Sequence, residues 1–233
     1  MKPLSLEDLK RRARSRLDDE AFPYLWSDID LLDYINEAIQ DACIRANLDV
    51  QDEVQIPFTQ NIDLTFKNKY ALPFGTLYVK SVRLASNPGR TLCATSLRQI
   101  ERDTHGRPIS TGAPNTYATD QTQDGRGQQC GIRVRTLYFM PTPSVADTAL
   151  VDIVRVPCDL ENDSDVPEID AVWHSDLIYG VTSLAYLKRD TDTFDEKKSN
   201  RDGAIFEERF GPRLPAVVIR ERQTDVPLQI MMY

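Results

Sequence analysis

The sequence has few of the residues on which metal sites and many active sites are built. Its 233 residues include two histidines, His105 and His174, and four cysteines. The cysteines are Cys43, Cys93, Cys130 and Cys158, and the nearest two are 28 positions apart. This spacing excludes CxxC pairs and the ligand patterns typical of zinc sites. We therefore expect no metal centre, and cysteines that are free, mostly structural thiols in a reducing compartment.

The chain also lacks the common catalytic motifs. GxSxG, GxxxxGK[ST], HExxH and GxGxxG are all absent. Gly125-Arg126-Gly127 comes nearest to the last of these, but it lies in a polar stretch that indicates a hairpin tip. His174 stands four residues after Asp170, a spacing that favours a pair stapling a first helical turn. The sequence therefore predicts neither an enzyme nor a cofactor.

Basic charge and long apolar runs are also scarce. There are 28 lysines and arginines against 36 aspartates and glutamates, a net charge of −8. This balance argues against binding nucleic acid by bulk charge. No apolar run approaches the roughly 18 residues needed to span a bilayer, and the N-terminus has no apolar signal-peptide core. With 41% hydrophobic and 27% charged residues, the composition is that of a globular protein with no membrane partner.

Residues 1–50 carry the pattern of two amphipathic helices. Ser5 is placed to cap the first helix, and Ser27, followed by Asp28 and Asp30, to open the second. Apolar residues then recur at three- and four-residue spacing. They are Leu6, Leu9, Ala13 and Leu17 in the first helix, and Leu31, Leu32, Ile35, Ala38, Ile39 and Ala42 in the second, which is expected to run to about Leu48.

From about residue 52 the apolar period changes to two, which indicates β-strands. Asn87-Pro88-Gly89 is predicted as a turn, and the polar stretch Thr119–Gln129 as a hairpin tip or exposed loop. The alternating segments and predicted strands are Val54–Phe58, Ile62–Phe66, Tyr78–Leu84, Ile132–Phe139 and Leu150–Val156.

Helical periodicity returns after Pro167. One helix is predicted from Asp170 to about Lys188, and another, with Asp192 as its N-cap and Asp195 at the N3 position, ends at Gly211-Pro212. The remaining segment, Arg213–Tyr233, is too apolar for a solvated tail and too short for a core of its own. Segments of this kind pack on the parent domain or on a neighbouring chain.

These elements predict an α+β protein with an inserted domain. A helical bundle built from the N-terminal and C-terminal helices takes residues 1–50 and 159–211. An antiparallel β domain takes residues 51–158, and an extended C-terminal tail takes residues 212–233.

Two charged clusters are candidates for contacts with other molecules. The cations of the first helix are flanked by Glu7, Asp8 and Asp18, which favours a solvated or intersubunit helix face over a DNA site. The intersubunit candidates on this face are Arg11, Arg12, Arg14 and Arg16. Asp190-Thr191-Asp192 resembles the DxD motif of metal-dependent sugar transferases, but it fits a helix cap more simply and lacks the glycine and glutamate of a calcium loop.

The order of several short elements carries a resemblance to a known family. The run Trp26–Ile39 resembles the opening helix of head-to-tail adaptor proteins of tailed bacteriophages, also called head–tail connector or neck proteins. The elements that follow are similar too: Tyr70-Ala71-Leu72-Pro73, Gly112-Ala113-Pro114-Asn115-Thr116-Tyr117, Tyr138–Pro143, Arg155-Val156-Pro157, the helix with Trp173, His174 and Leu177, and the last helix with Phe206 and Phe210. The resemblance covers roughly residues 25–211.

This resemblance implies a structural virion protein, made in the host cytoplasm and located at the head–tail junction. About twelve copies would form a ring beneath the portal, with the helical bundle building the ring and the β region facing the tail or the outside. The partners would be the portal protein, tail or neck proteins and further copies of the chain. DNA would pass through without specific contacts, which suits an acidic protein with scattered arginines.

The resemblance also implies that the C-terminal tail docks on the portal. The docking residues would be Arg213, Leu214, Val217, Val218, Ile219, Arg220, Arg222, Leu228, Ile230, Met231 and Tyr233. Two alternatives stay open. One is a tail-completion or baseplate adaptor, and the other is a metal-dependent transferase or hydrolase that uses Asp190, Asp192 and His174.

Overall fold

The computed structural model describes residues 2–59, 70–97, 110–121, 135–213 and 215. The chain divides into two compact units. The described residues of 1–49 and 156–214 form one, called the helical unit below, and those of 50–155 form the other, called the β unit. Four helices and mainly antiparallel sheets in this part of the chain make the protein α+β, as the sequence predicts.

The first two helices begin at the serines expected to cap them. Helix α1 spans Leu6–Leu17, and the Ser5 hydroxyl accepts from the Asp8 amide. Helix α2 spans Asp28–Ala46, where Ser27 and Asp30 form a reciprocal capping box. Helix α2 ends two residues before the predicted Leu48, because Asn47 adopts a left-handed conformation with φ of 53° and terminates it.

The two later helices are shorter than the sequence pattern predicts. Helix α3 spans Leu177–Tyr186, so the predicted start at Asp170 is wrong. Residues 171–176 form successive turns, in which the Asp170 carboxylate accepts from the Val172 amide. Helix α4 spans Glu196–Phe210, and its N-cap is Asp195, whose carboxylate accepts from the Lys198 amide, rather than Asp192. Gly211 ends it, as expected.

The core of the helical unit joins all four helices. Helix α3 contacts α1, α2 and α4, and α2 contacts α1 and α4. The predicted apolar stripes of α1 and α2 form most of one side of this core. Its most deeply buried members include Leu6, Leu9, Trp26, Leu31, Ile35, Leu177 and Val181. No helix among the described residues is long and apolar enough to cross a membrane.

The β unit contains two four-stranded sheets. Their longer strands are β1 Val50–Phe58, β3 Thr76–Leu84, β4 Asn87–Thr91, β7 Thr116–Gln121, β8 Arg135–Met140 and β10 Asp147–Arg155. The short strands are β2 Tyr70–Ala71, β5 Cys93–Ala94, β6 Thr111–Gly112 and β9 Thr142–Pro143. One four-stranded sheet has the order β1-β10-β3-β4 and the other β2-β8-β7-β5, and β6 and β9 form a separate two-stranded sheet. The inner faces of both sheets share one apolar cluster around Val82, Val151, Leu137 and Phe139.

Three details of the β unit differ from the sequence prediction. The predicted turn Asn87-Pro88-Gly89 is part of strand β4, and the chain turns instead at Ala85-Ser86. Two hydrogen bonds hold this turn, since the Ala85 amide donates to the Thr148 carbonyl and the Ser86 hydroxyl donates to the Asp147 carboxylate. Pro88 is tolerated there because β4 is an exposed edge strand. The predicted loop Thr119–Gln129 begins as strand β7, and its residues 122–129 lie outside the described ones, as does Ile62–Phe66. The pairs β5–β7 and β6–β9 are parallel.

Candidate interaction surfaces

Helix α1 carries five cations, and the structure divides them by what they contact. The Lys10 ammonium pairs with Asp163 at 2.8 Å, and the Arg11 guanidinium pairs with Asp8 at 3.1 Å. Arg12 donates to the Ser175 hydroxyl at 3.0 Å. Arg11 and Arg12 are exposed, so they present positive charge at the surface.

Arg14, by contrast, is turned inward and only 10% of its side chain is exposed. One of its guanidinium nitrogens lies 2.8 Å from Asp19, and another lies 2.7 Å from Asp28. The guanidinium carbon stands 3.8 Å from the centre of the Tyr24 ring, in cation–π contact. Arg14 therefore joins the end of α1, the following linker and the start of α2.

Asp19 fixes the backbone of the linker, Asp18–Trp26, by accepting hydrogen bonds from its amides. Its carboxylate is almost wholly buried and accepts from the amides of Leu25, at 2.8 Å, and Trp26, at 3.2 Å. A buried carboxylate is stable only where donors of this kind replace water. The linker backbone is thus fixed by an ion pair and two charge-assisted hydrogen bonds.

Trp26 fixes the end of the linker on α3. Its indole N–H donates to the Ala185 carbonyl at 3.0 Å, and its ring meets the Tyr186 ring edge-on at 6.1 Å. Nearby, the Lys188 ammonium pairs with Asp30 at 2.8 Å. The linker and the C-terminal end of α3 therefore lie at the same end of the helical unit.

The linker and the first turn of α2 expose large apolar side chains. Phe22 is 86% exposed and Ile29, in the first turn of α2, is 72% exposed. Leu25 is about half exposed, as are Leu187 and Phe194 in the segment between α3 and α4. Exposed apolar groups that form a contiguous patch mark interaction sites, which makes these residues candidates for contact with a partner. We call the set Phe22, Leu25 and Ile29 the linker tip.

Arg16 takes part in a buried network between α1, α3 and α4. It donates to both oxygens of Asp202, which is fully buried, and Thr182 donates to the same carboxylate at 2.6 Å. Burial acts to raise the pKa of Asp202, but the hydrogen bonds from Arg16 and Thr182 outweigh it and hold the pKa below its ordinary value. The guanidinium carbon of Arg16 also lies 4.2 Å from the centre of the Tyr179 ring.

Beside this network lies an open depression on the surface of α1 and α3. It encloses about 450 Å³ and is lined by Arg12, Ser15, Arg16, Ser175, Ile178 and Tyr179. No carboxylate lines it. A larger groove of about 840 Å³ also runs along α1 and shares Arg12 and Ser15 with the depression, but there carboxylates such as Glu7, Glu20 and Asp163 accompany the cations.

Gly211 and Arg213, at the start of the C-terminal segment, are held at a charged anchor on α2. Arg45 donates to the Gly211 carbonyl at 3.0 Å and pairs with Asp41 at 2.7 Å. Arg213 lies within 3.6 Å of the other oxygen of Asp41. Arg213 is the only one of the predicted tail-docking residues within the part of the chain that the structure describes. The other ten, Leu214, Val217, Val218, Ile219, Arg220, Arg222, Leu228, Ile230, Met231 and Tyr233, lie outside it.

The residues named for the enzyme alternative do not come together. His174 is buried, its Nδ1 accepts from the Leu4 amide at 3.0 Å, and its Nε2 lies 3.0 Å from the Ile169 carbonyl. Asp190 and Asp192 are exposed. Within the described ranges, no group of three histidine, cysteine, aspartate or glutamate side chains could hold a metal ion. Cys43, Cys93 and Cys158 form no disulfide, and Cys130 and His105 lie outside the described residues.

The sequence analysis identified the cations of α1 but not the linker tip. One signal was available, since Ile29 stands between Asp28 and Asp30, off the apolar stripe that begins at Leu31. An apolar residue on the polar side of a helix indicates a surface contact. Phe22 had no comparable signal, because a Phe-Pro pair in a linker is equally typical of a buried turn.

Comparison with known proteins identifies a family. The family model described as SU10 adaptor protein matches residues 4–230 of the chain. No curated protein matches it. The matched range includes both compact units and the linker tip.

Proposed function

We propose a head-to-tail connector role for this chain, which belongs to the SU10 adaptor protein family. Membership makes it a bacteriophage adaptor-type structural protein and a virion component, so this part of the sequence-based prediction is confirmed. The proposal adds the position and the assembly. The protein forms a ring of about twelve copies, binds the portal, receives tail or neck proteins, and leaves a passage for DNA.

The linker tip is the observation that supports an assembling subunit best. Its backbone is ordered by Arg14, Asp19 and Trp26, yet Phe22 and Ile29 are turned to solvent. A binding loop that is held in place before contact loses little conformational entropy when the partner arrives. In the proposed ring, the helical unit packs as a bundle and supplies the contacts between copies.

The C-terminal segment supplies the proposed contact with the portal. Its first residues are fixed on α2 by Arg45 and Asp41, and from there residues 214–233 carry apolar side chains together with Arg220 and Arg222. An apolar segment with arginines suits docking on an acidic or polar partner.

The charge of the chain is compatible with DNA passage. With a net charge of −8, the ring as a whole repels phosphates rather than binding them. Arg14 and Arg16 are engaged by Asp19, Asp28 and Asp202 of the same chain. Their positive charge is thus largely neutralised within the subunit.

Antibody labelling of particles from a lysate, imaged by electron microscopy, tests the position. Label at the junction of head and tail supports the proposal, and label at the distal tail favours the tail-completion or baseplate role. A particle image with sixfold rather than twelvefold symmetry would favour that role as well. If the protein stays wholly in the particle-free fraction, the structural proposal is wrong, and calorimetric titration with divalent metal becomes the test of the enzyme alternative.

Deletion of residues 213–233 tests the docking segment. We expect the truncated chain to keep the circular dichroism spectrum and thermal unfolding of the full chain, because the helical core among the described residues is formed without Arg213. Attachment to portal-containing heads should be lost. Attachment at the full-length level would refute the role of the segment in docking without affecting the rest of the proposal.

A further inference from the structure

We propose that Phe22 of one copy inserts into the depression between α1 and α3 of a second copy. The depression is the one lined by Arg12, Ser15, Arg16, Ser175, Ile178 and Tyr179. This inference rests on the proposed function in one respect, since it supplies the contact by which a ring would form. It assigns both halves of that contact to residues of this chain.

Phe22 has the properties of an inserting side chain. It is 86% exposed and meets the Tyr24 ring edge-on at 6.0 Å. Tyr24 in turn lies against the Arg14 guanidinium, which Asp19 and Asp28 hold in place. The position of Phe22 is therefore defined by packing beneath it, while most of its ring has no contact within the subunit.

The depression has the properties of a receiving site. Its apolar part comes mainly from the Tyr179 ring, over which the Arg16 guanidinium is stacked, since Ile178 is largely buried. Asp202 fixes Arg16, and Ser175 fixes Arg12. A phenyl ring in this site meets aromatic and apolar surface with guanidinium groups beside it, an arrangement that favours both edge contacts and cation–π contacts.

Charge complementarity favours a second copy as the occupant. The exposed residues Asp18 and Glu20 precede Phe22 in the chain, and the segment Asp18–Leu25 contains no cation. The depression is lined by the exposed Arg12 and by no carboxylate, while Arg16 beside it is already paired with Asp202. The larger groove on α1 lacks this complementarity, because it mixes both signs of charge. A contact between two different patches of one chain repeats from copy to copy, and it closes into a ring when the rotation permits.

A charge exchange tests the pairing of the two surfaces. We expect Glu20→Arg and Arg12→Glu each to weaken self-association about tenfold or more, and the double variant E20R/R12E to recover most of the loss. Phe22→Ser should weaken it by about ten- to one-hundredfold, the contribution of a buried phenyl ring. Val145→Ser is the matched control, because Val145 is 71% exposed but lies in the β unit. Sedimentation over a concentration series measures these changes.

Disulfide trapping between differently tagged chains tests the contact directly. In a background with Cys93, Cys130 and Cys158 changed to serine, chains carrying Phe22→Cys are mixed with chains carrying Ser175→Cys. The mixture is oxidised both concentrated alone and bound to portal-containing heads. We expect a cross-link that contains both tags, and no comparable cross-link when either variant is oxidised by itself.

The outcomes separate this inference from the proposed function. A cross-link between the two tags supports the contact even if labelling places the protein elsewhere on the particle. Absence of that cross-link in both settings, or an equal effect of V145S and F22S on association, overturns the contact. In that case attachment to heads, measured separately, still decides the connector role.

Discussion

Arg14 and Asp19 form an ion pair that is almost completely shielded from water, with their nearest atoms 2.8 Å apart. They lie only five positions apart in the chain, so the pair closes the chain reversal that follows α1. The Asp19 carboxylate also accepts hydrogen bonds from the amides of Leu25 and Trp26. A second guanidinium nitrogen of Arg14 pairs with Asp28. The surface proposed for assembly thus depends on a buried polar cluster directly beneath it.

Replacing Asp19 should therefore be more costly than replacing its neighbour. Asp19→Ala leaves the buried Arg14 with one carboxylate instead of two and leaves two linker amides without acceptors. We expect a loss of about 3–5 kcal/mol in the free energy of unfolding. Asp18→Asn is the control, because Asp18 is exposed and its left-handed conformation suits asparagine. Urea denaturation measures both, and an equal effect of the two substitutions would contradict the role of Asp19.

The Asp202 network predicts a dependence of stability on pH. The pKa of Asp202 is lowered below its ordinary value of 3.8 by Arg16 and Thr182 in spite of burial. The ionised carboxylate therefore contributes stability at every pH above about 3.8, and that contribution is lost as pH falls through the lowered pKa. Asp202→Asn should lower the free energy of unfolding near neutral pH and make its decline in acid shallower.

Acid unfolding of the wild type and D202N provides the measurement. Asp8→Asn is a suitable control, since the pKa of Asp8 is also lowered, by its hydrogen bond from Arg11, but its pairing with Arg11 lies at the surface. We expect D8N to keep nearly the wild-type slope, because an exposed ion pair is screened by water. If D202N had the same slope as the wild type, the network would not be the source of the acid sensitivity.

Close packing of α3 on α4 predicts an effect at Gly180. A Cβ atom at this position would lie 2.7 Å and 2.9 Å from two carbons of the Phe206 ring and 3.1 Å from the Cβ of Ala38. Gly180→Ala should therefore destabilise the protein by about 1–3 kcal/mol, although alanine has the higher helix propensity. Gly89→Ala is the control, because a Cβ atom added there would meet nothing within 4 Å. Thermal unfolding should show a lower midpoint for G180A alone.

These contacts show what the sequence could and could not predict. The start of α2 was predictable, because Ser27 and Asp30 form a capping box within four residues. The start of α3 was not, since its helical pattern extends back to Asp170 while local hydrogen bonds hold residues 171–176 in turns. Local periodicity cannot reveal such competition between helix and turn.

The same limit applies to the candidate interaction surfaces. The sequence placed Arg14 and Arg16 on one helix with Arg11 and Arg12. It could not show which of the four arginines are exposed and which are paired within the subunit, because that depends on partners distant in the chain. Arg16 meets Asp202, 186 positions away in the chain, and this pairing arises only when α1 packs against α3 and α4. The resemblance to phage adaptors was recoverable, because it depends on the order of short elements rather than on any tertiary contact.

His174 provides a last prediction, which separates a structural role from a catalytic one. Its Nδ1 accepts from the Leu4 amide and its Nε2–H donates to the Ile169 carbonyl, so both ring nitrogens join the N-terminal segment to the turns before α3. His174→Ala removes a buried ring and leaves both backbone groups without partners. We expect a loss of roughly 2–4 kcal/mol in the free energy of unfolding and faster hydrogen exchange at the Leu4 amide. Val172→Ala, at an exposed neighbouring position, should change the stability by less than about 0.5 kcal/mol. A stable H174A protein with unchanged exchange at Leu4 would show that the ring is not the link between these segments.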